Sequence, residues 1–128
     1  MASNLTEREI IRNVYDADLV ALKTIYGSNL TPIFDDIALS GSGDVVAAVA
    51  AKKIRVLALF GHATTSGTIK FQSGASSNLT GAIPVDDAQP LNFLFMPLGW
   101  FETVAGQKLN AVLATMTAFN GCLVYVTI

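Results

Sequence analysis

Beyond Gly43 the chain alternates apolar and polar residues at a period of two, the spacing at which side chains fall on the two faces of a β-strand. Thr68 to Ser73 is the clearest case. There Ile69, Phe71 and Ser73 oppose Thr68, Lys70 and Gln72, the pattern of a half-buried antiparallel strand, which ends at Gly74. Lys108 to Thr115 repeats it, with Leu109, Ala111, Leu113 and Thr115 alternating with Asn110, Val112 and Ala114. Cys122 to Ile128 does the same, Leu123, Tyr125 and Thr127 opposing Cys122, Val124, Val126 and Ile128. In Ile54 to Ala63 the spacing puts Ile54, Val56, Ala58, Phe60 and His62 on one face and Arg55, Leu57, Leu59 and Gly61 on the other. Asp44 to Ala51 is a further apolar run, and the Lys52-Lys53 pair after it is short and polar enough to close a tight hairpin onto Ile54 to Ala63. Leu91 to Phe95 is a shorter strand.

Turn formers punctuate these runs: Gly27 to Pro32, Ser40 to Asp44 after the short segment Ile33 to Leu39, Gly74 to Asn78, and Pro84 to Pro90. Pro97 with Gly99, Ala105-Gly106 and Asn120-Gly121 complete the set. About seven or eight short strands at regular spacing, with no long central helix, predict an all-β sandwich or barrel. Met1 to Tyr26 reads differently. Thr6 and Glu9 have capping-box spacing, and Ile10, Val14, Ala17, Ala21 and Ile25 recur at steps of three and four, which is one face of a helix. Asn13, Tyr15 and Asp16-Ala17-Asp18 lower helix propensity, so the segment is an arm, helical or extended. The organisation expected is an N-terminal arm, residues 1–32, and a β-sandwich domain, residues 33–128.

Composition changes this picture in one respect. With 128 residues, 52% hydrophobic and 14% charged, the chain has one domain's length and more apolar side chains than so small a domain hides, so an oligomer or a subunit of something larger is expected. The same balance excludes intrinsic disorder. Val45 to Ala51 and Val56 to Phe60 are separated by Lys52, Lys53 and Arg55, so no run approaches the roughly 20 residues of a membrane span. A net charge of −2 and a pI near 5.1 leave no nucleic-acid footprint. Thr6-Glu7-Arg8-Glu9 is neither a secretory nor a transit leader, and the chain is expected to stay in the compartment that makes it. A single cysteine, Cys122, allows no intrachain disulfide and fits a reducing cytosol.

Candidate chemistry is sparse. His62 is the only histidine, so a His-rich metal site lacks its partners and the residue reads as a hydrogen-bonded structural one. Cys122 opens the last strand and reads as a small buried hydrophobe; a nucleophilic role would need His62 beside it. Asp35-Asp36 and Asp86-Asp87 have the residue types of a glycosidase pair or of calcium ligands, but neighbours in an extended chain point to opposite faces, which favours solvated loop charges. No P-loop, dinucleotide fingerprint or Gly-x-Ser-x-Gly elbow is present. No enzyme, cofactor or metal is expected. Lys52, Lys53 and Arg55 form the one basic cluster, decorating a hairpin or pairing with a partner subunit. Trp100 and Phe101 follow Pro97 and Gly99 and are core or interface plugs, with a sugar-stacking platform as the other reading.

Several segments taken together carry a resemblance: Val46 to Ala50 running through Lys52 to Leu57, Lys70 to Gly74, Leu79-Thr80-Gly81, Gly99 to Thr103, Ala105-Gly106 with Leu109-Asn110, and Gly121 with Leu123 to Tyr125. In order and spacing they resemble a family of small β-sandwich virion proteins of tailed bacteriophages, over roughly Asp44 to Ile128. Asn13 to Ala17 through Ala21 to Lys23 is similar to the lead-in segment by which such accessory proteins attach to the particle. Ala51, where such hairpins often carry Gly, and the Pro- and Asp-rich stretch Pro84 to Leu98 depart from the pattern. The resemblance implies a capsid cement (decoration) protein with a jelly-roll-like antiparallel β-sandwich. It would be made in the host cytoplasm, form a homotrimer, and bind the outer surface of the major capsid protein lattice in the virion, with no nucleic acid and no membrane as partners. Two alternatives stand beside it: a head-fibre or tail-associated protein that binds a host surface, for which Trp100 and Phe101 have to be exposed, and a carbohydrate-binding accessory module.

Overall fold

In the computed structural model the alternating runs become the strands of two facing antiparallel sheets, giving an all-β sandwich. The structure describes residues 20, 21, 23–25, 27 and 31–128, and the chain divides into two units, Met1–Leu30 and Thr31–Ile128. In the first, residues 20, 21 and 23–25 are helical, the Thr24 hydroxyl donates to Val20 O at 2.7 Å, and Gly27 N–H donates to Lys23 O at 2.9 Å. The capping box at Thr6 and Glu9 and the earlier part of the helical stripe lie outside the described residues.

The second unit holds ten strands: β1 (Ile33–Leu39), β2 (Gly43–Val46), β3 (Ile54–Ala63), β4 (Gly67–Ser73), β5 (Ser77–Asn78), β6 (Ile83–Val85), β7 (Leu91–Phe93), β8 (Phe101–Glu102), β9 (Leu109–Ala114) and β10 (Phe119–Thr127). Sheet A runs β1-β10-β3, with β7 and β8 both on the free side of β3. Sheet B runs β2-β9-β4, with β5 and β6 both on the free side of β4. The chain therefore changes sheet at each step from β1 to β4, and the first and last strands lie side by side. Between the sheets Ile37, Ile54, Val56, Leu59, Ile69, Phe71, Leu109, Phe119 and Leu123 form the centre of a continuous apolar core. Burying each of these side chains contributes roughly 1.5–3 kcal/mol.

Three expectations are corrected. Asp44 to Ala51 and Ile54 to Ala63 do not form a hairpin: β2 pairs with β9 in sheet B and β3 with β10 in sheet A. The chain crosses from one sheet to the other between them, turning at Ala51 in the left-handed region (φ 60°) with Lys52 N–H donating to Val49 O. Next, β3 does not keep one face along its length. Val124 pairs with Ala58 but Tyr125 pairs with Val56, so Leu57 is a bulged extra residue. Ile54 and Val56 point inward before it, Leu59, Gly61 and Ala63 after it, and Ala58, Phe60 and His62 are turned outward.

Finally, Asn120-Gly121 is not a turn but lies inside β10, with Gly121 between Gly61 of β3 and Ile37 of β1. Backbones approach closely here: a Cβ on Gly121 would lie 1.8 Å from Phe60 O, and one on Gly61 would lie 2.1 Å from the Phe119 ring. Gly61 leaves the space that this ring fills, and Gly121 lets the two backbones approach.

Candidate interaction surface

Register and alternation together define the outer face of sheet A. Phe34, Val124 and Ala58 form one row across β1, β10 and β3. Asp36, Cys122, Phe60 and Asn92 form the next, reaching β7. Phe34 is 79% exposed, Phe60 and Cys122 are exposed, and with Leu94 and Phe95 they line a shallow apolar groove of about 220 Å³. Leu57 and Val126 are fully buried yet lie outside the core cluster.

The groove continues into the loop at 94–100, which carries Leu94 (70% exposed), Phe95, Met96, Leu98 (66%) and Trp100 (43%). This loop is held along the edge of β3. Met96 N–H donates to Leu57 O at 2.9 Å, Gly99 N–H to Met96 O at 2.9 Å, and Trp100 N–H to Val56 O at 2.8 Å. The indole Nε1–H closes it by donating to Leu94 O at 2.8 Å. Gly99 permits the turn: its φ is +85°, and a Cβ would meet Arg55 Cγ at 2.5 Å. Below the loop, Trp100 stacks on Phe93 at 5.1 Å, Phe93 meets Phe101 edge-on at 6.2 Å, and Phe101 stacks on Phe71 of the opposite sheet at 5.0 Å. A chain of rings thus runs from the core to the surface. The exposed apolar side chains are presented by a braced segment, at little ordering cost on binding.

Charges sit at the two ends of this face along the strands. Toward Lys53, Arg55 Nη2 pairs with Glu102 Oε2 at 2.6 Å and Lys53 Nζ lies 3.7 Å from Glu102 Oε1. The Arg55 hydrogen bond, opposed by partial burial and assisted by both positive charges, holds the Glu102 carboxyl below its ordinary value. At the other end His62 Nε2 lies 2.6 Å from the carbonyl oxygen of Asp87, and Ser66 Oγ accepts from Asp87 N–H at 3.1 Å. The Ala88 N–H bond to Asp86 is the main cause that holds the Asp86 carboxyl below its usual range. Asp35 lies on β1, where its charge adds to burial in raising the Tyr125 phenol.

His62 and Cys122 are both outward on sheet A, but they belong to different rows and nothing couples them. Cys122 is exposed, which corrects its reading as a buried hydrophobe: the strand starts at Phe119, so Cys122 falls on the outward parity. Asp36 accompanies the groove, while Asp86 and Asp87 cap the far end of the sandwich. Trp100 and Phe101 separate, the first 43% exposed and the second half-buried against Phe71. Phe34, Phe60, Leu94 and Leu98 were not singled out by sequence. The available signal was broken alternation, in Ile33-Phe34 and in Leu94-Phe95-Met96, where apolar neighbours leave no polar position for the solvent side. Among the described residues no group of three or more His, Cys, Asp or Glu is placed to hold a metal ion, and no helix is long and apolar enough to cross a membrane. No protein-family model, curated protein or solved structure matches the chain.

Proposed function

We propose that the chain is a non-enzymatic structural protein, a capsid cement of a tailed bacteriophage, that docks the outer face of sheet A and the 94–100 loop on the major capsid protein lattice. The observation that carries this reading is the braced apolar surface from Phe34 to Trp100. A contiguous exposed apolar patch of this kind marks a protein interface, and its rigidity suits a joint that must resist opening. Two further points support it. Counting β5 with β6 and β7 with β8 as interrupted strands gives eight strands in the orders 1-8-3-6 and 2-7-4-5, which is the interleaving a jelly roll requires. The sequence resemblance to virion decoration proteins points to the same class.

The head-fibre or tail-associated reading keeps one observation in its favour, the partly exposed Trp100, a ring suited to a host-surface ligand. Phe101, turned into the ring stack, does not join it.

Copy number on the particle separates the two. A reconstruction of particles carrying the chain is expected to show it in hundreds of copies on the head, with Leu94 and Leu98 against major capsid protein. A few copies at a fibre or tail tip would favour the alternative, and absence from the particle would overturn both.

A further inference from the structure

Among the described residues the sheet edges are finished in different ways. β2 has four residues and an irregular register against β9, β5 and β6 have two and three residues with Pro84 among them, and β7 and β8 have three and two. None of these offers a long row of unpaired backbone groups. β1 does. Its seven residues pair with β10 in unbroken register on one side, it contains neither proline nor lysine, and among the described residues no strand lies on its other side.

Which backbone groups β1 leaves free follows from β10. Lys53 and Ile128 exchange both hydrogen bonds, at 2.8 and 3.0 Å, and Thr64 N–H donates to Ala118 O at 3.2 Å, so even-numbered positions along β10 turn their backbone groups to β3. The odd-numbered positions face β1 and pair there with Ile33, Asp35, Ile37 and Leu39. Phe34, Asp36 and Ala38 therefore point their N–H and C=O groups away from the sheet. At the middle of these three the donor is already taken: Asp36 N–H donates to Asp35 Oδ1 at 2.9 Å. Asp35 shares the parity of the buried Ile37 but is itself exposed, at the rim of the core, and from there its carboxylate reaches the edge.

We infer that the Asp35 carboxylate is a lock on this edge: it occupies the Asp36 N–H, places a charge beside it, and so keeps β1 from pairing antiparallel with β1 of a second copy. Every antiparallel register that forms more than one hydrogen-bonded pair between two such edges uses Asp36, and the symmetric register also sets Asp36 opposite Asp36. The lock leaves the outer face of sheet A free for the docking proposed above, and the inference does not depend on that role.

The experiment uses the full chain and reads mass by sedimentation over a dilution series, with circular dichroism to check that each variant is folded. Asp35→Ala removes the lock and is expected to associate at concentrations about tenfold below those at which the unaltered chain gains mass. Asp36→Ala takes away the same charge and leaves the lock, and should shift that threshold by no more than about threefold. Adding Ala38→Pro to Asp35→Ala removes an N–H that faces away from the sheet, so no ladder bond is lost, and should return the mass of the unaltered chain. Amide hydrogen exchange places the contact, since Phe34, Asp36 and Ala38 should become protected in the Asp35→Ala assembly. An Asp35→Ala protein with the mass of the unaltered chain, an equal response to Asp36→Ala, or an assembly that survives Ala38→Pro or leaves these amides unprotected would overturn the inference.

Discussion

The two outer faces of the sandwich are built on the same plan and finish differently. Across sheet B one row runs Asp44, Asn110, Gln72 and Asn78 through β2, β9, β4 and β5. Its amides close on one another: Asn110 Nδ2 donates to Gln72 Oε1 at 3.2 Å and Gln72 Nε2 to Asn78 Oδ1 at 2.9 Å, while Lys108 pairs with Asp44 at 2.7 Å. The corresponding row of sheet A is Asp36, Cys122, Phe60 and Asn92, with hydrocarbon and a thiol at its centre. Both sheets contribute to the core, so the difference is not one the fold demands. A polar ladder satisfies itself and leaves nothing for a partner; an apolar row beside an apolar loop is complete only when covered.

The largest effect should come from breaking sheet A itself. Gly121→Ala puts a Cβ 1.8 Å from Phe60 O, a backbone atom that cannot swing aside, and is expected to cost about 3 kcal/mol in urea unfolding. If it cost nothing, the close pairing of β3 and β10 that sets every row on this face would be mistaken. Next, Leu94→Asp should weaken particle binding about thirtyfold, as loss of an interface anchor does, with the melting temperature of the free protein unchanged. On sheet B, Lys70→Asp should leave binding unaltered. Equal losses from both variants would erase the distinction between the faces.

How far the faces were legible in sequence follows from the same rows. Alternation in β4 and β9 identified the inward Ile69, Phe71, Leu109 and Ala111 because polar neighbours marked the other parity. In β3 alternation failed, since one bulged residue at Leu57 reverses the parity of all that follows, and only Arg55 and His62, both outward yet seven residues apart, carry a trace of the shift. The sheet to which each strand belongs was hidden too. Lys52-Lys53 has hairpin chemistry, yet the pairing of β3 with β10 and of β2 with β9 is long-range, decided by core packing and not by the turn. The bracing of the 94–100 loop depends on carbonyls of β3, such as Val56 and Leu57, that no local pattern announces.

A smaller contrast compares the centres of the two rows. Gln72→Ala removes a donor and an acceptor from amides that then turn to water, and is expected to cost about 1 kcal/mol. Phe60→Ala should cost less, because nearly half of the residue faces solvent. Denaturant midpoints with unchanged slopes would check both. A greater cost at Phe60 would mean that the apolar face belongs to the fold and not to a partner.

The smallest effect lies where the charged end of sheet A meets the core. Glu102 accepts from Arg55 and lies near Lys53, and its carboxyl is held below its ordinary value of 4.5 chiefly by the Arg55 hydrogen bond. A depressed folded-state value stabilises the fold at pH above the ordinary one, and that contribution fades as pH falls through the lowered value. Its side chain is 34% exposed, so solvent screening limits the gain to about 0.5 kcal/mol. Glu102→Gln should therefore lower stability slightly at pH 7 and converge with the unaltered chain as the pH drops below 4.5. Thermal unfolding at pH 7 and at acid pH reads this difference of differences. A gap that persists in acid would assign the loss to packing beside Phe101 in place of the ion pair, and the charged end of the face would then be held by shape alone.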